Sequence, residues 1–185
     1  TAKARRQLEA AKVDEPVKIT VAYRGGGTMD AAMQALEKGW EEAGFEVTLT
    51  ALGDDYFTRV GQRSVAAKYD VVWANWGPDY PAAVTVLPAL FDDRVNLSGD
   101  SVGRDYGMFA DDDVNEAMDS AARVRDREAR AKRWAAIDTG LLEDAAYVPL
   151  RQSRLTYVAG SEVSPLVGNP VYGGVPEMGV IGVSR

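Results

Sequence analysis

Residues 17–52 read VKITVAYRGGGTMDAAMQALEKGWEEAGFEVTLTAL, and residues 69–76 read YDVVWANW. The first stretch opens with strict alternation, Val17, Ile19, Val21 and Tyr23 on one face and Lys18 and Thr20 on the other. That period of two predicts a half-buried strand over 17–23. Gly25, Gly26 and Gly27 end it. Met29, Met33, Leu36, Trp40 and Ala43 then recur at spacings of three and four, an apolar stripe that predicts a helix over 29–43. Gly44 is its natural stop. A second strand follows over 47–52. Asp54 is placed to cap a helix running to 67, with Tyr56, Phe57 and Val60 facing inward. The nearly continuous apolar character of 69–76 suits a central strand covered on both faces. The order βαβαβ implies helices packed on a largely parallel sheet. The expected class is therefore α/β, a mixed, mainly parallel sheet with helices on both faces.

Upstream, residues 3–12 read as a short helix with only Leu8 and alanines to bury, so its partner surface is expected outside this chain. Downstream of Pro81, residues 82–91 suggest a short helix and 92–106 an irregular polar loop. Two helices follow over 111–122 and 126–144. Asp119 with Arg123, Asp126 with Arg130 and Glu128 with Lys132 stand at helical pairing distance. Asp111, Asp112 and Asp113 sit where a helix start favours negative charge. Trp134, Ile137 and Leu141 form an inward stripe. Strands are expected over 147–150, 155–159 and 178–183, with a Gly- and Pro-rich loop over 160–177.

Composition narrows the function. Of 185 residues, 46% are apolar and 26% charged, as in ordinary globular proteins. There is no cysteine and no histidine. The first removes disulfides and thiolate chemistry, the second the commonest general base and metal ligand. A net charge of −7 repels phosphate backbones, so nucleic acid is not an expected partner. No apolar run reaches the length of about 18 residues that a membrane span needs. The chain opens on Thr1 without a visible signal peptide, which suggests a processed product or a part of something longer.

Four places invite a functional test. The turn Arg24-Gly25-Gly26-Gly27-Thr28 could cradle phosphate, but Asp30 stands where a dinucleotide fingerprint needs its third glycine, and Gly-Lys-Ser/Thr is absent. A plain βα turn is the better account. The segment Asn75-Trp76-Gly77-Pro78-Asp79-Tyr80-Pro81 follows the strand expected to be most buried, at the carboxyl end where open α/β sheets bind ligands. Asp79 between Trp76 and Tyr80 offers one carboxylate flanked by aromatic surface, which suits an ammonium or a hydroxyl-rich ligand. A Pro-bounded turn with packed aromatics needs no ligand and explains the same residues. The acids at 92, 93, 100 and 111–113 do not match a calcium loop and are expected to form a solvated face. A Ser/Lys hydrolase would need an activated serine, and no Gly-x-Ser-x-Gly elbow is present.

Taken in order, several segments resemble the carboxyl-terminal half of the extracellular solute-binding proteins of ABC importers, the peptide- and nickel-binding family of the family 5 type. The helix ahead of PVKITVAY, the run ALEKGWEEAGFEVTLTAL, the segment YDVVWANWGPDYPAAVTVLPALF, the long stretch DDDVNEAMDSAARVRDREARAKRWAAIDTGLLEDAAYVPL and the tail GNPVYGGVPEMGVIGV are each loose matches. Five in the right order are specific. The resemblance implies one lobe, residues 1–185, of a two-lobe receptor that encloses a peptide or similar solute and passes it to a membrane permease. Residues 1–16 and 160–185 would contact or return toward an amino-terminal lobe not contained in this chain. That lobe would bring the signal sequence and, in many relatives, a lipid anchor, for an extracytoplasmic location. No enzyme activity, cofactor or metal is implied. Asp79 matches the aspartate that pairs with a ligand's α-amino group in peptide-binding relatives, with Trp76, Tyr80, Asn75 and Gly77 around it. Some relatives place an arginine shortly before that aspartate to hold a ligand carboxylate. Here Trp73 occupies that neighbourhood, and no arginine lies between 69 and 79. A ligand-sensing module of a signalling protein is the main rival.

Overall fold

The computed structural model describes residues 1–13, 16–151 and 155–183. In chain order its elements are α1 (Ala2–Ala11), β1 (Val17–Arg24), α2 (Thr28–Glu41), β2 (Phe45–Leu52), α3 (Tyr56–Val60), α4 (Arg63–Ala66), β3 (Val71–Val72), α5 (Leu87–Phe91), α6 (Asp93–Asn96), α7 (Asp112–Arg123) and α8 (Arg127–Glu143). Four two-residue strands close the series, β4 (Val163–Ser164), β5 (Gly168–Asn169), β6 (Val175–Pro176) and β7 (Gly182–Val183). The chain forms two compact units, Thr1–Asn75 with Asp93–Met108, and Trp76–Asp92 with Phe109–Arg185.

The first unit is the α/β part. Its sheet has the order β2-β1-β3, all parallel, with Val17 opposite Phe45 through Arg24 opposite Leu52, and Val21 opposite Val71. Alternation along β1 sends its side chains to two separate cores. Val21 and Tyr23 join Met33 of α2, with Met29, Leu36 and Trp40 packed alongside. Ala22, on the opposite face, joins Tyr56 and Val60 of α3, Ala66 of α4, and Val102 and Tyr106. Helices thus cover both faces of a parallel sheet.

This reverses two expectations. The strand covered on both faces is β1, expected to be half-buried; Val21 and Ala22 are fully buried. The 69–76 run, expected to be central, is an edge with only Val71 and Val72 in the ladder, and Val71 is exposed. β1 is central because the first crossover carries the chain to β2 on one edge and the second, from β2, passes back over β1 to set β3 on the other. The apolar run after Val72 leaves the ladder but not the core, since Trp73 packs on Tyr56 and Phe57 at 5.9 Å between ring centres. The single helix expected to 67 is two short ones. Residues 61–63 turn aside to pair with another segment, Val102 N–H donating to Gly61 O at 2.9 Å and Arg63 N–H to Asp100 O. The expected cap at Asp54 is not formed; Asp55 occupies the cap position without a side-chain bond.

Two glycines are required by geometry. A Cβ at Gly25 would meet the Ala51 Cβ at 2.9 Å, because Gly25 N–H reaches Leu52 O and draws the β1–α2 turn onto β2. Gly44 has φ 112°, the left-handed stop after α2 that glycine adopts without strain.

The second unit is built on α5, α7 and α8. Leu87 and Phe91, Met118 and Ala121, and Trp134 and Leu141 bury together, with Tyr147 against Phe91 at 5.4 Å. Asp111 and Asp126 cap α7 and α8 by accepting from Val114 N–H at 3.0 Å and Ala129 N–H at 2.7 Å. Of the three expected ion pairs, Asp119–Arg123 and Glu128–Lys132 form, at 3.9 and 2.7 Å. Arg130 instead donates to Val124 O at 3.1 Å. No strand forms over 147–150 or 155–159; the Tyr147 hydroxyl is drawn to Asp138 at 2.6 Å, and no ladder partner for either stretch is present among the described residues. The loop expected over 160–177 contains the β5–β6 pair, and β4 within it pairs antiparallel with β7. The strand expected over 178–183 is a 3₁₀ turn, Met178–Val180, followed by β7.

Candidate functional site

In the β2-β1-β3 order the strand sequence changes direction beside β1. In open parallel sheets the crevice at the carboxyl ends of the strands flanking such a switch is the ligand site. Arg24 ends β1, and 73–75 continue from β3 at that same end of the sheet. The Arg24 guanidinium lies 3.4 Å from the Asp54 carboxylate, a pair open to water and worth little to stability. Arg24 was weighed only as part of the glycine turn and was not among the expected ligand-binding residues. The signal for it was present, as the charged residue closing an alternating strand. Next to it, Gly26 N–H donates to both Asp30 oxygens at 3.1 Å. The glycine turn is therefore closed on the protein's own carboxylate, which argues against phosphate there. Tyr23, beneath this turn, has its phenol pushed up by burial first and by Asp30 second.

The other expected residues lie on the stretch that follows. Asn75 ends the first unit and is exposed. Trp76, Gly77, Asp79 and Tyr80 belong to the second unit, within a turn tied down from its far side. The Trp76 indole N–H donates to Thr85 O at 3.0 Å. The Thr85 hydroxyl, in a buried residue, reaches Ala82 O at 2.9 Å and Tyr80 O at 3.3 Å. These bonds fix the frame of the turn while its side chains face water. Trp76 is 39% and Tyr80 50% exposed. Asp79 is exposed and has no hydrogen-bond or ion-pair partner among the described residues. A Cβ at Gly77 would meet nothing within 4 Å, so packing does not demand glycine there. Trp73 and Trp76 part company as expected, Trp73 in the core and Trp76 at the surface.

The acidic scatter is less uniform than a solvated face. Asp92 is buried, Asp111 caps α7, and Asp100 accepts from Ser64 N–H at 2.9 Å and from its hydroxyl at 3.1 Å. Among the described residues no three acids converge to hold a metal ion. None of the helices among them is long and apolar enough to cross a membrane.

The fold is shared with solved binding proteins. The chain is similar to clavulanic acid biosynthesis oligopeptide binding protein 2, with 20% identity and a TM-score of 0.86 over 98% of this chain and 33% of that one. It is similar to the DppA periplasmic binding protein from Helicobacter pylori in complex with the peptide STSA, with 20% identity and a TM-score of 0.66 over 80% of this chain and 28% of that one. It is also similar to a mannohexaose-bound periplasmic oligopeptide-binding protein from Thermotoga maritima, with 16% identity and a TM-score of 0.67 over 80% and 30% of the two chains. The chain thus spans about a third of the length of these structures. No curated protein matches it. The family model described as bacterial extracellular solute-binding proteins, family 5 Middle, matches residues 1–97, more than half of the chain. Parallel sheet, exposed strand-end turn and family match converge: the chain belongs to the bacterial extracellular solute-binding proteins of family 5.

Proposed function

We propose that this chain is one lobe of a receptor that captures a peptide or similar small solute outside the cytoplasm and delivers it to an ABC permease. A second lobe, in a longer protein, supplies the opposite wall of the cleft. The observation that carries this reading is the Trp76–Tyr80 turn. It follows the β3 segment in the chain, is braced through Thr85, and presents an unpartnered carboxylate between two exposed rings. Side chains so arranged are poor for folding and good for recognition, since exposed aromatics and an idle charge stabilise nothing until something covers them.

In this account Asp79 accepts from the ligand's ammonium, Trp76 and Tyr80 stack on its backbone or rings, and Asn75 supplies a polar contact beside Gly77. Lobe closure removes water and strengthens the charge-assisted bond. The work done is binding and release, with no bond made or broken. Residues 1–16 and 160–185 are the segments proposed to contact the second lobe. The experiment is calorimetry on the longer protein with a peptide library, comparing wild type with Asp79→Asn. Loss of the charge should weaken free-amine peptides by about 1.5–3 kcal/mol, or roughly 10- to 150-fold. Amino-acetylated peptides should bind both proteins alike. Equal affinity of both proteins for the free-amine ligand would remove Asp79 from the site.

The mannohexaose-bound relative supports a second reading, in which Trp76 and Tyr80 stack on sugar rings. Oligosaccharide binding that survives Asp79→Asn and fails in Trp76→Ala would favour it.

A further inference from the structure

The hairpin of α7 and α8 carries a feature that solute capture does not use. Residues 123–133 read RVRDREARAKR, and these eleven hold six of the chain's 21 basic side chains but only two of its 28 acidic ones. In a protein of net charge −7 this is a concentrated reversal of sign. Arg123, Arg125, Arg127, Lys132 and Arg133 are all exposed. Arg123 and Lys132 are engaged with Asp119 and Glu128. Arg125, Arg127 and Arg133 have no hydrogen-bond or ion-pair partner among the described residues.

Of these arginines, Arg133 lines a shallow depression of about 250 Å³ together with Ala117 and Ser120 of α7 and Ala136 and Ile137 of α8, while Arg125 and Arg127 stand at the α7–α8 corner. Small residues at 117, 120 and 136 make its floor. One turn of helix, about 5.4 Å, separates Ser120 from the Arg123 corner. The hairpin's large apolar side chains point the other way, since Trp134 is 5% exposed and Leu141 is fully buried.

We propose that this face docks an acidic segment of a partner protein. One aliphatic side chain of the partner seats over Ala117, Ser120 and Ala136, a carboxylate next to it engages Arg133, and further carboxylates along the segment reach Arg125 and Arg127 at the α7–α8 corner. Charge complementarity names the partner's sign, and free guanidinium forks favour carboxylates in bidentate geometry. The shape separates a polypeptide from a membrane. An interfacial helix needs bulky apolar residues facing the lipid. Here Trp134 and Leu141 are committed to the core, and on the proposed face Ile137 alone is bulky and apolar, set within the shallow depression.

Fluorescence polarisation tests this with a labelled probe peptide of Glu and Asp residues around a single Leu. Binding should weaken about tenfold in Arg125→Glu/Arg127→Glu, and severalfold when Leu in the probe becomes Ser or when Ala136→Gln fills the floor. The control Lys3→Glu/Lys12→Glu changes the net charge equally on another helix and should leave binding nearly intact. All these positions are exposed, and circular dichroism verifies folding. Equal binding of a lysine version of the probe, or equal loss in the control, would overturn the proposal. So would arginine-dependent binding to phosphatidylglycerol vesicles without binding to the probe, which would assign the face to a membrane. Arginine-dependent dimers in sedimentation would overturn it in favour of a second copy of the chain.

Discussion

Strand β1 and the stretch 148–183 are both rich in valine, yet they end in opposite surroundings. Val21 and Ala22 are fully buried, whereas Val158 is 93% and Met178 77% exposed. Side-chain type does not separate them. β1 has a ladder neighbour on each edge and an apolar helix stripe on each face, all supplied within residues 17–72. Among its described residues the later stretch makes only two-residue ladders, β4 with β7 and β5 with β6. Apolar burial is worth about 25 cal/mol per Å², but only where a neighbour removes the water. The difference teaches that stability is concentrated around β1, while the tail offers surface.

The comparison breaks most easily at Tyr56. Its ring is fully buried between the sheet and Phe57, and its hydroxyl donates to Ala22 O or Trp73 O at 3.2 and 2.6 Å. Tyr56→Ala should destabilise the chain by about 3–5 kcal/mol in urea denaturation. A loss below about 1 kcal/mol would mean that β1 is not buried on that face. Next comes the cap of α8. Asp126→Ala should cost about 1 kcal/mol by removing the acceptor for Ala129 N–H.

A smaller effect carries a pH signature. The Asp70 carboxylate accepts from the Thr20 hydroxyl and from Thr20 N–H, each at 2.7 Å, and these bonds hold its pKa below the usual 3.8. The ionised form is the one stabilised by folding. Its contribution is therefore complete above the unfolded value and lost as pH falls through the lower native one. Asp70→Ala should be less stable than wild type by about 0.5–1 kcal/mol near neutrality, modest because the site is exposed. The two proteins should converge in acid. A gap that persists below the native pKa would assign the loss to packing.

The smallest effect sharpens the other side. Met178→Ser should change the stability of this chain by no more than about 0.5 kcal/mol. In a longer protein whose second lobe covers the tail, the same substitution should cost clearly more.

What was legible in the sequence follows the same division. The strand over 17–23 and the helix stripe that begins at Met29 each depend on residues close in the chain, and each formed as expected; Asp126, expected to pair with Arg130, caps α8 instead. The centre and edge of the sheet were exchanged, because hydrophobicity reports how much of a strand is covered and not which strand has two neighbours. Residues 69–76 are apolar for two reasons that the sequence merges: Val72 and Trp73 serve the core, while Trp76 faces water. The break at Gly61 and Gln62 was hidden because its cause, pairing with residues 100–102, lies some forty positions away. In the candidate site, Asp79, Trp76 and Tyr80 were put forward from strand-end position and residue chemistry. The brace through Thr85 was not, since a carbonyl acceptor leaves no mark on the sequence.

The direct test is a crystal structure of the longer protein with a free-amine peptide bound. The account predicts the ligand's ammonium within about 2.7–2.9 Å of an Asp79 carboxylate oxygen, with Trp76 or Tyr80 against the peptide. A bound peptide whose ammonium is held by another group, with Asp79 still in open solvent, would contradict it.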